Sequence, residues 1–441
     1  MKFARLIGLP ERSPASVQEL ICLCRSLLSE RGEISGVRFA SEALGIYKAL
    51  DAPSRVAFFD ALACEFSPDP IAVGRAGDAY RSNPSTANLA TLQDVVEPPR
   101  QELFRRLNMA AGGTAALIEM RRQLLRELPA HTEWMAIEAD LEHLLSSWFN
   151  RGFLTLQRID WSTSASVLEK LIQYEAVHQI HGWSDLQRRL QADRRCFAFF
   201  HPALPGEPII FIEVALTRGM SDSVQPLVDP LSPISNPHEA DCAMFYSITN
   251  CQDGLRGVPF GSFLIKKVAE DLGREFRGLK KFATISPIPG FRAWLSKSVG
   301  QLEPSQGRKK WDALLRILES GTLTAETSEE LEPACAYYLT GAKRGKEPID
   351  PVERFHLRNG ARLDRINLLA DTSPNGIRSA AGMMVNYVYE LSDLERNHES
   401  YTKRFKISLS HHIEWLANRS VFAAGVSGAR VTCPGISVPV G

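Results

Sequence analysis

Ser286 and His356 are the residues whose types and surroundings best suit proton chemistry. Ser286 follows an apolar run at 282–285 and precedes Pro287. Because a proline biases the preceding residue toward extended backbone, we expect the serine at a strand end, with its hydroxyl projecting into a cleft. His356 can take up or release a proton near neutral pH. By residue type alone, a serine that bonds nearby backbone and a structural or solvated histidine are the more common cases.

A glycine-containing loop at 251–262 has the composition of an anion-binding site. It separates a predicted strand at 243–248 from a predicted helix that begins at about Ser262. Glycines let the backbone approach a ligand closely, and the unpaired amides and dipole of a helix start favour a phosphate. Arg256 adds a guanidinium that can bind two phosphate oxygens at once. The same glycines also fit a purely structural turn, so the pattern alone leaves both interpretations open.

The first 150 residues are predicted to form a bundle of helices joined by short loops. Apolar side chains recur there at helical spacing, as at Leu117, Met120, Leu124 and Leu128. Turn signals that contain proline or glycine separate the helical segments, at 51–53, 67–70 and 112–113. No cluster of reactive side chains is evident in this part of the sequence. The pattern therefore predicts a packing or oligomerisation domain over residues 1–150.

Residues 151–441 are predicted to form an α/β or α+β domain that carries the chemistry. Apolar runs rich in β-favouring residues predict strands at 153–161, 195–200, 209–216, 243–248, 282–286 and 378–391. Helical patterns lie between several of these runs, and residues 297–350 are helical and charged. Residues 219–240 are polar and contain several prolines, which favours a mobile loop.

Charge, hydropathy and cysteine spacing exclude several classes of protein. The 51 lysines and arginines balance 51 acidic residues, so no global field attracts nucleic acid or an anionic membrane. No apolar run approaches the ~20 residues that span a bilayer. The first residues do not resemble a secretory signal, so we expect a cytoplasmic protein. The eight cysteines form no zinc-type pair, so we expect most of them to be buried thiols and expect no metal site.

The glycine loop resembles the pyrophosphate loop of the GCN5-related acyltransferase superfamily. In that loop an arginine or glutamine is followed by glycine at the fourth position and by glycine or alanine at the sixth. Arg256 and Gly261 match this pattern, whereas Pro259 occupies the position of the fourth-position glycine. The resemblance implies an acyltransferase-like fold for the C-terminal domain, and the proline argues against an ordinary acetyltransferase.

A series of longer motifs narrows the resemblance to the malonyl-CoA decarboxylase family. In chain order they are His-Pro-Ala-Leu-Pro-Gly-Glu-Pro at 201–208, Phe-Tyr-Ser-Ile at 245–248, Gly-Leu-Arg-Gly-Val at 254–258, Ser-Pro-Ile-Pro-Gly-Phe at 286–291, Phe-His-Leu-Arg-Asn-Gly-Ala at 355–361 and Met-Met-Val-Asn-Tyr at 383–387. Each motif is short, but their combination and order are specific. They cover residues 150–390, and the helical start is similar in architecture to that family's N-terminal oligomerisation domain.

The resemblance implies a set of site residues. The family's reacting pair is a serine before Pro-Ile-Pro-Gly-Phe and a histidine before Leu-x-Asn-Gly-Ala, which correspond to Ser286 and His356. The matching CoA loop implies that malonyl-CoA is bound by Arg256, Gly257, Val258, Pro259, Phe260, Gly261 and Ser262. Further candidates for lining the pocket are Asn359, Asn386 and Tyr387.

The implied reaction converts malonyl-CoA to acetyl-CoA and CO2. The thioester carbonyl can accept the electrons of the breaking bond as an enolate, so we expect no added cofactor and no catalytic metal. A fixed hydrogen-bond donor at such an oxygen lowers the barrier by roughly 3–4 kcal/mol in comparable sites. We expect Ser286 to orient the malonyl group and His356 to protonate the α-carbon as a general acid. Whether Ser286 also transfers a proton is left open by the sequence.

Two other functions fit parts of the pattern. A CoA-dependent acyltransferase on the same fold would have a similar loop, and acetyl-CoA and CO2 formed without an acceptor would argue against it. A non-catalytic acyl-CoA sensor is the second, and the intact Ser286 and His356 argue against that one. The resemblance also implies a homo-oligomer, either a dimer or a tetramer. Neither nucleic acid nor a membrane is an expected partner.

Overall fold

The computed structural model of the protein describes residues 16–29, 33–258, 260, 264–304, 307–321 and 323–425. The chain divides into two compact units. The first comprises Met1–Gln157, Phe199–Ile210 and Asn250–Gly261, and the second comprises Arg158–Ala198, Phe211–Thr249 and Ser262–Gly441. Residues 251–261 of the glycine loop therefore belong to the same compact unit as the N-terminal helices. The division of roles between residues 1–150 and residues 151–441 stays a prediction.

The first unit contains the helical bundle. Its helices are α1 (Val17–Ser29), α2 (Glu33–Ala49), α3 (Ala52–Cys64), α4 (Pro70–Ser82), α5 (Thr86–Val96), α6 (Pro99–Asn108), α7 (Gly113–Glu127) and α8 (Met135–Trp148). The predicted turns coincide with helix starts. The side chains of Asp51 and Asp69 accept hydrogen bonds from the first amides of α3 and α4, and Gly112 (φ +72°) precedes α7. These caps satisfy backbone groups that a helix leaves unpaired.

An apolar core fills the bundle and confirms the helical spacing seen in the sequence. Leu117, Met120 and Leu124 of α7 are buried in this core, and Leu128 packs against it. Trp134 is also buried, and its indole N–H donates to Asp60 at 2.9 Å. Burial of one such large apolar side chain contributes about 1.5–3 kcal/mol, so the bundle is stabilised mainly by this shared core.

The chain after α8 alternates strands with helices. The strands are β1 (Thr155–Ile159), β2 (Arg194–Phe200), β3 (Pro208–Thr217), β4 (Cys242–Asn250), β5 (Lys281–Thr284), β6 (Ser286–Pro287), β7 (Lys343–Arg344), β8 (Glu347–Pro348), β9 (Arg362–Asn367) and β10 (Met384–Val388). The helices are α9 (Ala165–Tyr174), α10 (Trp183–Arg189), α11 (Gln225–Val228), α12 (Leu264–Glu275), α13 (Phe291–Val299), α14 (Arg308–Ser320), α15 (Ala325–Thr340), α16 (Pro351–Arg358), α17 (Pro374–Ala380), α18 (Leu394–Arg404) and α19 (His411–Arg419). Within the described residues, no helix has the length and apolar character needed to cross a membrane.

A mixed sheet organises the strands in the order β1-β2-β3-β4-β5-β10-β6, and β9 pairs with β10. The β4–β5 pair is parallel, whereas β10 runs antiparallel to β5, β6 and β9. The strands predicted between 195 and 286 are confirmed, and with them the mixed α/β class. The predicted strand at 378–391 is partly wrong, because its first residues belong to α17, which Ser373 caps. Strand β9 was not predicted, since its charged residues at 362, 364 and 365 obscure the apolar positions.

Residues 219–240, expected to form a mobile loop, are anchored at several points. Val224 and Leu227 are buried; Val224 directly precedes α11, and Leu227 lies within it. The Val224 N–H donates to the Ala370 carbonyl at 2.9 Å. The guanidinium of Arg194 donates to the Leu227 carbonyl at 3.1 Å and 3.3 Å. Apolar burial and these hydrogen bonds tie the first half of the segment to the second unit.

Cysteines in the described residues occur as free thiols. The buried ones, Cys24, Cys196, Cys242, Cys251 and Cys335, agree with the prediction of thiols in apolar stretches. Burial raises the pKa of Cys24 and of Cys242 to about 12. These two thiols therefore stay protonated and unreactive at neutral pH. Cys433 lies outside the described residues.

Candidate active site

Ser286 lies where β6 continues the chain beyond β5, and its backbone is held from two sides. On one side, the adjacent Ile285 N–H donates to the Phe245 carbonyl of β4 at 3.0 Å. On the other side, Ser286 is paired with Val385 of β10. Pro287 follows directly, and the backbone is extended at Ser286 as predicted. The residue is only 5 % exposed, so its hydroxyl points into the protein.

His356 lies in the last turn of α16, a helix that was not predicted from the sequence. Asp350 caps this helix, and one of its carboxylate oxygens accepts the N–H groups of Val352 and Glu353, both at 2.9 Å. Pro351 occupies the first turn, which suits its fixed φ. The Asn359 N–H donates to the His356 carbonyl at 3.1 Å and ends the helix. A strong cap therefore sets where the imidazole is placed.

The structure brings these two side chains together, although 70 residues separate them in the chain. Ser286 Oγ lies 2.9 Å from His356 Nε2. On its other side, Ser286 Oγ donates to Thr284 Oγ1 at 2.8 Å. The second ring nitrogen of the histidine, Nδ1, lies 2.7 Å from the hydroxyl oxygen of Tyr389. Four side chains thus form one continuous chain of hydrogen bonds, with Ser286 and His356 in the middle.

The donors in this chain can be assigned from the hydrogen bonds themselves. The single hydroxyl proton of Ser286 is directed at Thr284, so the bond between Ser286 and His356 must be donated by Nε2–H. In a neutral imidazole, Nδ1 is then an acceptor, and the Tyr389 hydroxyl donates to it. The imidazole therefore presents a proton toward Ser286 and has no free lone pair on that side.

Burial keeps His356 neutral. The residue is 2 % exposed, and this loss of solvation lowers its pKa to about 3. Burial also raises the pKa of Tyr389 well above its ordinary value, so the phenol keeps its proton. Both effects favour the neutral, Nε2-protonated ring. A negative charge arriving beside this ring would reverse the balance, because an opposite charge at close range favours the imidazolium.

Tyr387 and Glu353 complete the buried surroundings of the histidine. The Tyr387 ring stacks on the imidazole with centroids 4.3 Å apart and an angle of 23° between the planes. Glu353 lies one helical turn before His356 and is fully buried. Neither of its carboxyl oxygens has a hydrogen-bond partner among the described residues. Burial, and then the nearby charge of Asp350, raise the pKa of Glu353 well above its ordinary range, so the group is neutral.

Asn386, a candidate for the pocket lining, has a structural role in this arrangement. Its amide nitrogen donates to the carbonyls of Thr284 at 2.7 Å and of Ser221 at 3.2 Å. Its amide oxygen accepts from Arg365 at 3.1 Å and from Asn367 at 2.8 Å. These four bonds use the full capacity of the side chain. Asn386 therefore holds Thr284 in place from β10.

Sequence reasoning missed Thr284 and Tyr389 as members of the hydrogen-bond chain. Thr284 precedes Ser286 by two residues, and Tyr389 follows Tyr387 by two residues. Side chains two apart on extended backbone face the same side. Once Ser286 and Tyr387 were candidates, this alternation was the signal that could have found their neighbours.

The glycine loop begins with a short 3-10 turn at Asp253–Leu255 in the first unit. The Arg256 side chain is 76 % exposed and lies 3.2 Å from its neighbour Asp253. Gly257 has φ +84°, a backbone conformation that L-residues rarely adopt. Val258 and Phe260 are buried. The other predicted loop residues, Pro259, Gly261 and Ser262, lie outside the described residues.

One group of potential metal ligands occurs among the described residues, in the first unit. Atoms of Asp60, His131 and Glu133 lie within 4.8 Å of one another. Existing hydrogen bonds account for them, since Asp60 accepts from Trp134 at 2.9 Å and His131 lies 3.0 Å from Glu133. These hydrogen bonds therefore stabilise the segment between α7 and α8. The absence of a metal and of an added cofactor stays a prediction.

Two family models match the chain, one for the malonyl-CoA decarboxylase N-terminal domain at residues 66–149 and one for the C-terminal domain at residues 152–424. The mitochondrial malonyl-CoA decarboxylase of Anser anser anser is 34 % identical over 446 residues, covering 90 % of this chain and 88 % of that protein. The Mus musculus enzyme of the same name is 35 % identical over 352 residues, covering 73 % of this chain and 72 % of that one.

Solved structures agree with these matches. The crystal structure of malonyl-CoA decarboxylase from Rhodopseudomonas palustris is 46 % identical, with a TM-score of 0.85 over 91 % of this chain and 99 % of that one. The Agrobacterium vitis structure is 45 % identical, with a TM-score of 0.83 over 90 % and 99 % of the two chains. Since the family models cover most of the residues and these likenesses extend over nearly the whole length, the chain belongs to the malonyl-CoA decarboxylase family.

Proposed function

We propose that this chain converts malonyl-CoA to acetyl-CoA and CO2, with Ser286 and His356 as its catalytic residues. The observation that carries the proposal is the 2.9 Å hydrogen bond between Ser286 Oγ and His356 Nε2. A hydroxyl that orients the substrate and a ring nitrogen that supplies a proton are the two groups that this decarboxylation needs.

The first step breaks the bond between the α-carbon and the carboxylate. Its electron pair moves into the thioester carbonyl, so CO2 leaves and an enolate forms. We infer that the Ser286 hydroxyl rotates away from Thr284 and donates to the malonyl group, which holds the breaking bond in line with the carbonyl π system. A hydroxyl can do this because its proton rotates to suit its partners.

The second step protonates the α-carbon of the enolate. Burial alone lowers the pKa of His356, whereas the carboxylate of the bound substrate raises it, so the ring takes up a proton. Tyr389 can then accept from Nδ1–H, since its hydroxyl both donates and accepts. Nε2–H passes its proton to the α-carbon, which gives acetyl-CoA and leaves a neutral ring with its proton on Nδ1. Uptake of a proton at Nε2 and release of the Nδ1 proton then restore the starting tautomer. One proton is consumed in each turnover.

We assign the binding of the CoA phosphates to the loop of Arg256, Gly257, Val258, Pro259, Phe260, Gly261 and Ser262. The exposed Arg256 guanidinium supports this assignment, because its partner Asp253 is itself exposed and the pair is weak. An incoming phosphate can therefore replace that carboxylate without exposing a buried charge.

Arg256→Ala is expected to raise KM for malonyl-CoA about 10–100-fold, with a smaller change in kcat. A hydrogen bond to a charged group is worth about 1.5–3 kcal/mol, and this one acts equally on substrate and transition state. Steady-state kinetics and CoA titration would measure it. Arg274→Ala is the matched control, since Arg274 is 75 % exposed and also pairs with an aspartate three residues earlier. An unchanged KM and CoA affinity would remove the assigned phosphate contact.

Tyr389→Phe is expected to lower kcat about 10-fold with little change in KM. The variant leaves Nδ1 of a buried imidazole without its 2.7 Å partner, so the Nε2-protonated form loses its stabilisation. Tyr401→Phe is the control, because Tyr401 is equally buried and its hydroxyl bonds Glu347 instead. Equal kcat values for the two variants would show that Tyr389 does not support the dyad.

The reaction itself is tested by incubating the purified protein with malonyl-CoA alone and following products by mass. Acetyl-CoA and CO2 should form without an added acceptor. An acyltransferase would instead need an amine or a carrier protein before CoA is released, and a sensor would bind without turnover. Release of free CoA only when an acceptor is present would favour the acyltransferase.

We propose that residues 1–150 mediate self-association into a dimer or a tetramer. Exposed apolar side chains on the helical unit, such as Ile71 and Leu89, support this proposal. Size-exclusion chromatography with light scattering would measure the mass, and a monomer at micromolar concentration would contradict it. Neither nucleic acid nor a membrane is proposed as a partner.

A cytoplasmic location stays a prediction. The names of the animal relatives carry the word mitochondrial, which says where those proteins reside. Fractionation of cells that express the protein would test the location directly, and recovery with an organelle or membrane fraction would contradict it.

A further inference from the structure

Arg121 of α7 holds the backbone of the glycine loop from within the helical unit. Its Nη1 donates to the carbonyls of Gly254 and Arg256, both at 2.8 Å. Its Nη2 donates to Glu138 of α8 at 2.5 Å. One side chain of the N-terminal helices therefore binds both sides of the turn that leads into Gly257. The sequence analysis found no chemical role for any of these helices.

The environment of Arg121 makes these contacts strong. The residue is 1 % exposed, and its Nε has no hydrogen-bond partner among the described residues. A buried guanidinium must be paired and hydrogen-bonded to offset its lost hydration. Glu138 provides the opposite charge, and the two loop carbonyls provide the remaining acceptors. The two loop carbonyls thus help to offset the lost hydration of the buried guanidinium. Moving them away would leave the guanidinium with too few hydrogen-bond acceptors, at a large cost in free energy.

Gly254 brings the loop against α7 at a distance that only glycine permits. A Cβ added at Gly254 would lie 2.0 Å from the Ile118 carbonyl oxygen, far inside van der Waals contact. The start of the loop is held separately, since the Cys251 N–H donates to the Ile209 carbonyl at 2.9 Å. Close packing and hydrogen bonding therefore act on the same short turn.

The direction of the Arg256 carbonyl has a consequence for the next amide. In a trans peptide the carbonyl and the following N–H point in opposite directions. Because the Arg256 carbonyl points at Arg121, the Gly257 N–H points away from α7. Gly257 adopts φ +84° at this point, a backbone conformation that would strain any residue with a side chain. An amide turned outward beside the exposed Arg256 guanidinium is the arrangement that binds a phosphate oxygen.

We propose that Arg121 is a positioning residue for CoA binding: by holding the Gly254 and Arg256 carbonyls, it sets the loop in the conformation that receives a CoA phosphate. This inference rests on the phosphate-binding role assigned to the loop. It gives the N-terminal helices a part in substrate affinity in addition to packing. A preformed loop binds more tightly because its ordering does not have to be supplied by the ligand.

Arg121→Met tests the proposal in the full-length protein. The methionine keeps apolar bulk but cannot bond either carbonyl. We expect KM for malonyl-CoA and the Kd for free CoA, measured by calorimetry, to rise about 10-fold, with kcat within about 2-fold of the parent. Arg121→Lys, which can bond one carbonyl, should give an intermediate Kd. An unchanged Kd in a folded Arg121→Met protein would overturn the proposal.

Arg100→Met is the matched control for a general weakening of the bundle. Arg100 is buried like Arg121, pairs with Asp140 on α8, and donates to Ser67 at 2.7 Å. We expect it to lower the thermal unfolding temperature and to leave KM and the CoA Kd unchanged. An equal rise in Kd for Arg100→Met and Arg121→Met would mean that loss of bundle stability, and not the loop contact, weakens binding.

Gly254→Ala provides a second route if Arg121→Met fails to fold. Its methyl group would displace the turn from Ile118 while leaving Arg121 in place, and the same rise in CoA Kd is expected. Arg256→Ala separates the two proposals. If Arg256→Ala leaves the Kd unchanged, the phosphate role of the loop is wrong. If Arg256→Ala raises the Kd while Arg121→Met and Gly254→Ala do not, only the positioning role is wrong.

Discussion

His356→Asn is expected to lower kcat for malonyl-CoA decarboxylation about 10²–10⁴-fold, the range typical for loss of a positioned general acid. Asparagine can still bond Ser286, but it cannot carry a proton to the α-carbon. KM should change little, because the histidine acts after the substrate is bound. A steady-state assay of acetyl-CoA formation measures the effect, and near-normal turnover would show that another group supplies the proton.

A matched control for this variant is His201→Asn. His201 is also buried with both ring nitrogens bonded, since Nε2 lies 3.0 Å from the Trp148 carbonyl and Nδ1 accepts the Ala203 N–H at 3.1 Å. Its bonds are to backbone only, which indicates a structural role. We expect the His201 variant to lose thermal stability and to keep most of its kcat.

The pH dependence of kcat gives an independent check on His356. Burial lowers its pKa to about 3, and the carboxylate of a bound substrate is expected to raise it again. Because the protonated ring is the acid, kcat should fall as the pH rises above the pKa of the substrate complex. His356→Asn should remove this decrease. A parental kcat that stays level to high pH would contradict the proposed acid.

Ser286→Ala is expected to lower kcat about 10²–10³-fold, because the malonyl group loses the hydrogen bond that orients its breaking bond. The alanine preserves the extended backbone at β6, so the effect should be in kcat and not in folding. It also removes the partner of His356 Nε2, which leaves the ring less well oriented. Measurement of kcat together with thermal unfolding separates these contributions from a loss of structure.

Ser328→Ala is the matched control for the serine. Ser328 is fully buried in α15, and its hydroxyl donates to the Thr324 carbonyl at 3.0 Å. Its loss removes one hydrogen bond of similar burial in the same unit, so kcat should be retained. If Ser286→Ala and Ser328→Ala have the same kcat, Ser286 takes no part in the reaction.

Much of the local structure could be predicted because its causes are local. Apolar spacing specified α7 and its neighbours, and turn residues such as Asp51 and Asp69 marked the starts of α3 and α4. Pro287 restricts Ser286 to extended backbone wherever the chain places it. The order of the motifs indicated the family before any contact was known. These signals act over a few residues, or through whole-motif likeness, and neither requires knowledge of the packing.

Other elements were missed because packing overrides the local signal. Strand β9 carries charged residues at 362, 364 and 365, and it is stabilised by pairing with β10. Helix α16 is short and polar, and its place depends on the Asp350 cap and on burial of His356. The local sequence signal is too weak to predict either strand β9 or helix α16. Tertiary contacts decide both.

The sequence by itself determined that a serine on extended backbone and a histidine were available for proton chemistry. Only the tertiary structure decided that they lie 2.9 Å apart, with Tyr389 on the far nitrogen and Thr284 on the serine hydroxyl. The tertiary structure alone likewise decided that Arg121 donates hydrogen bonds to loop carbonyls more than 130 positions away. Residue type and local backbone preference are properties of the chain, whereas hydrogen-bond partners at long separation exist only once a common core has brought them together.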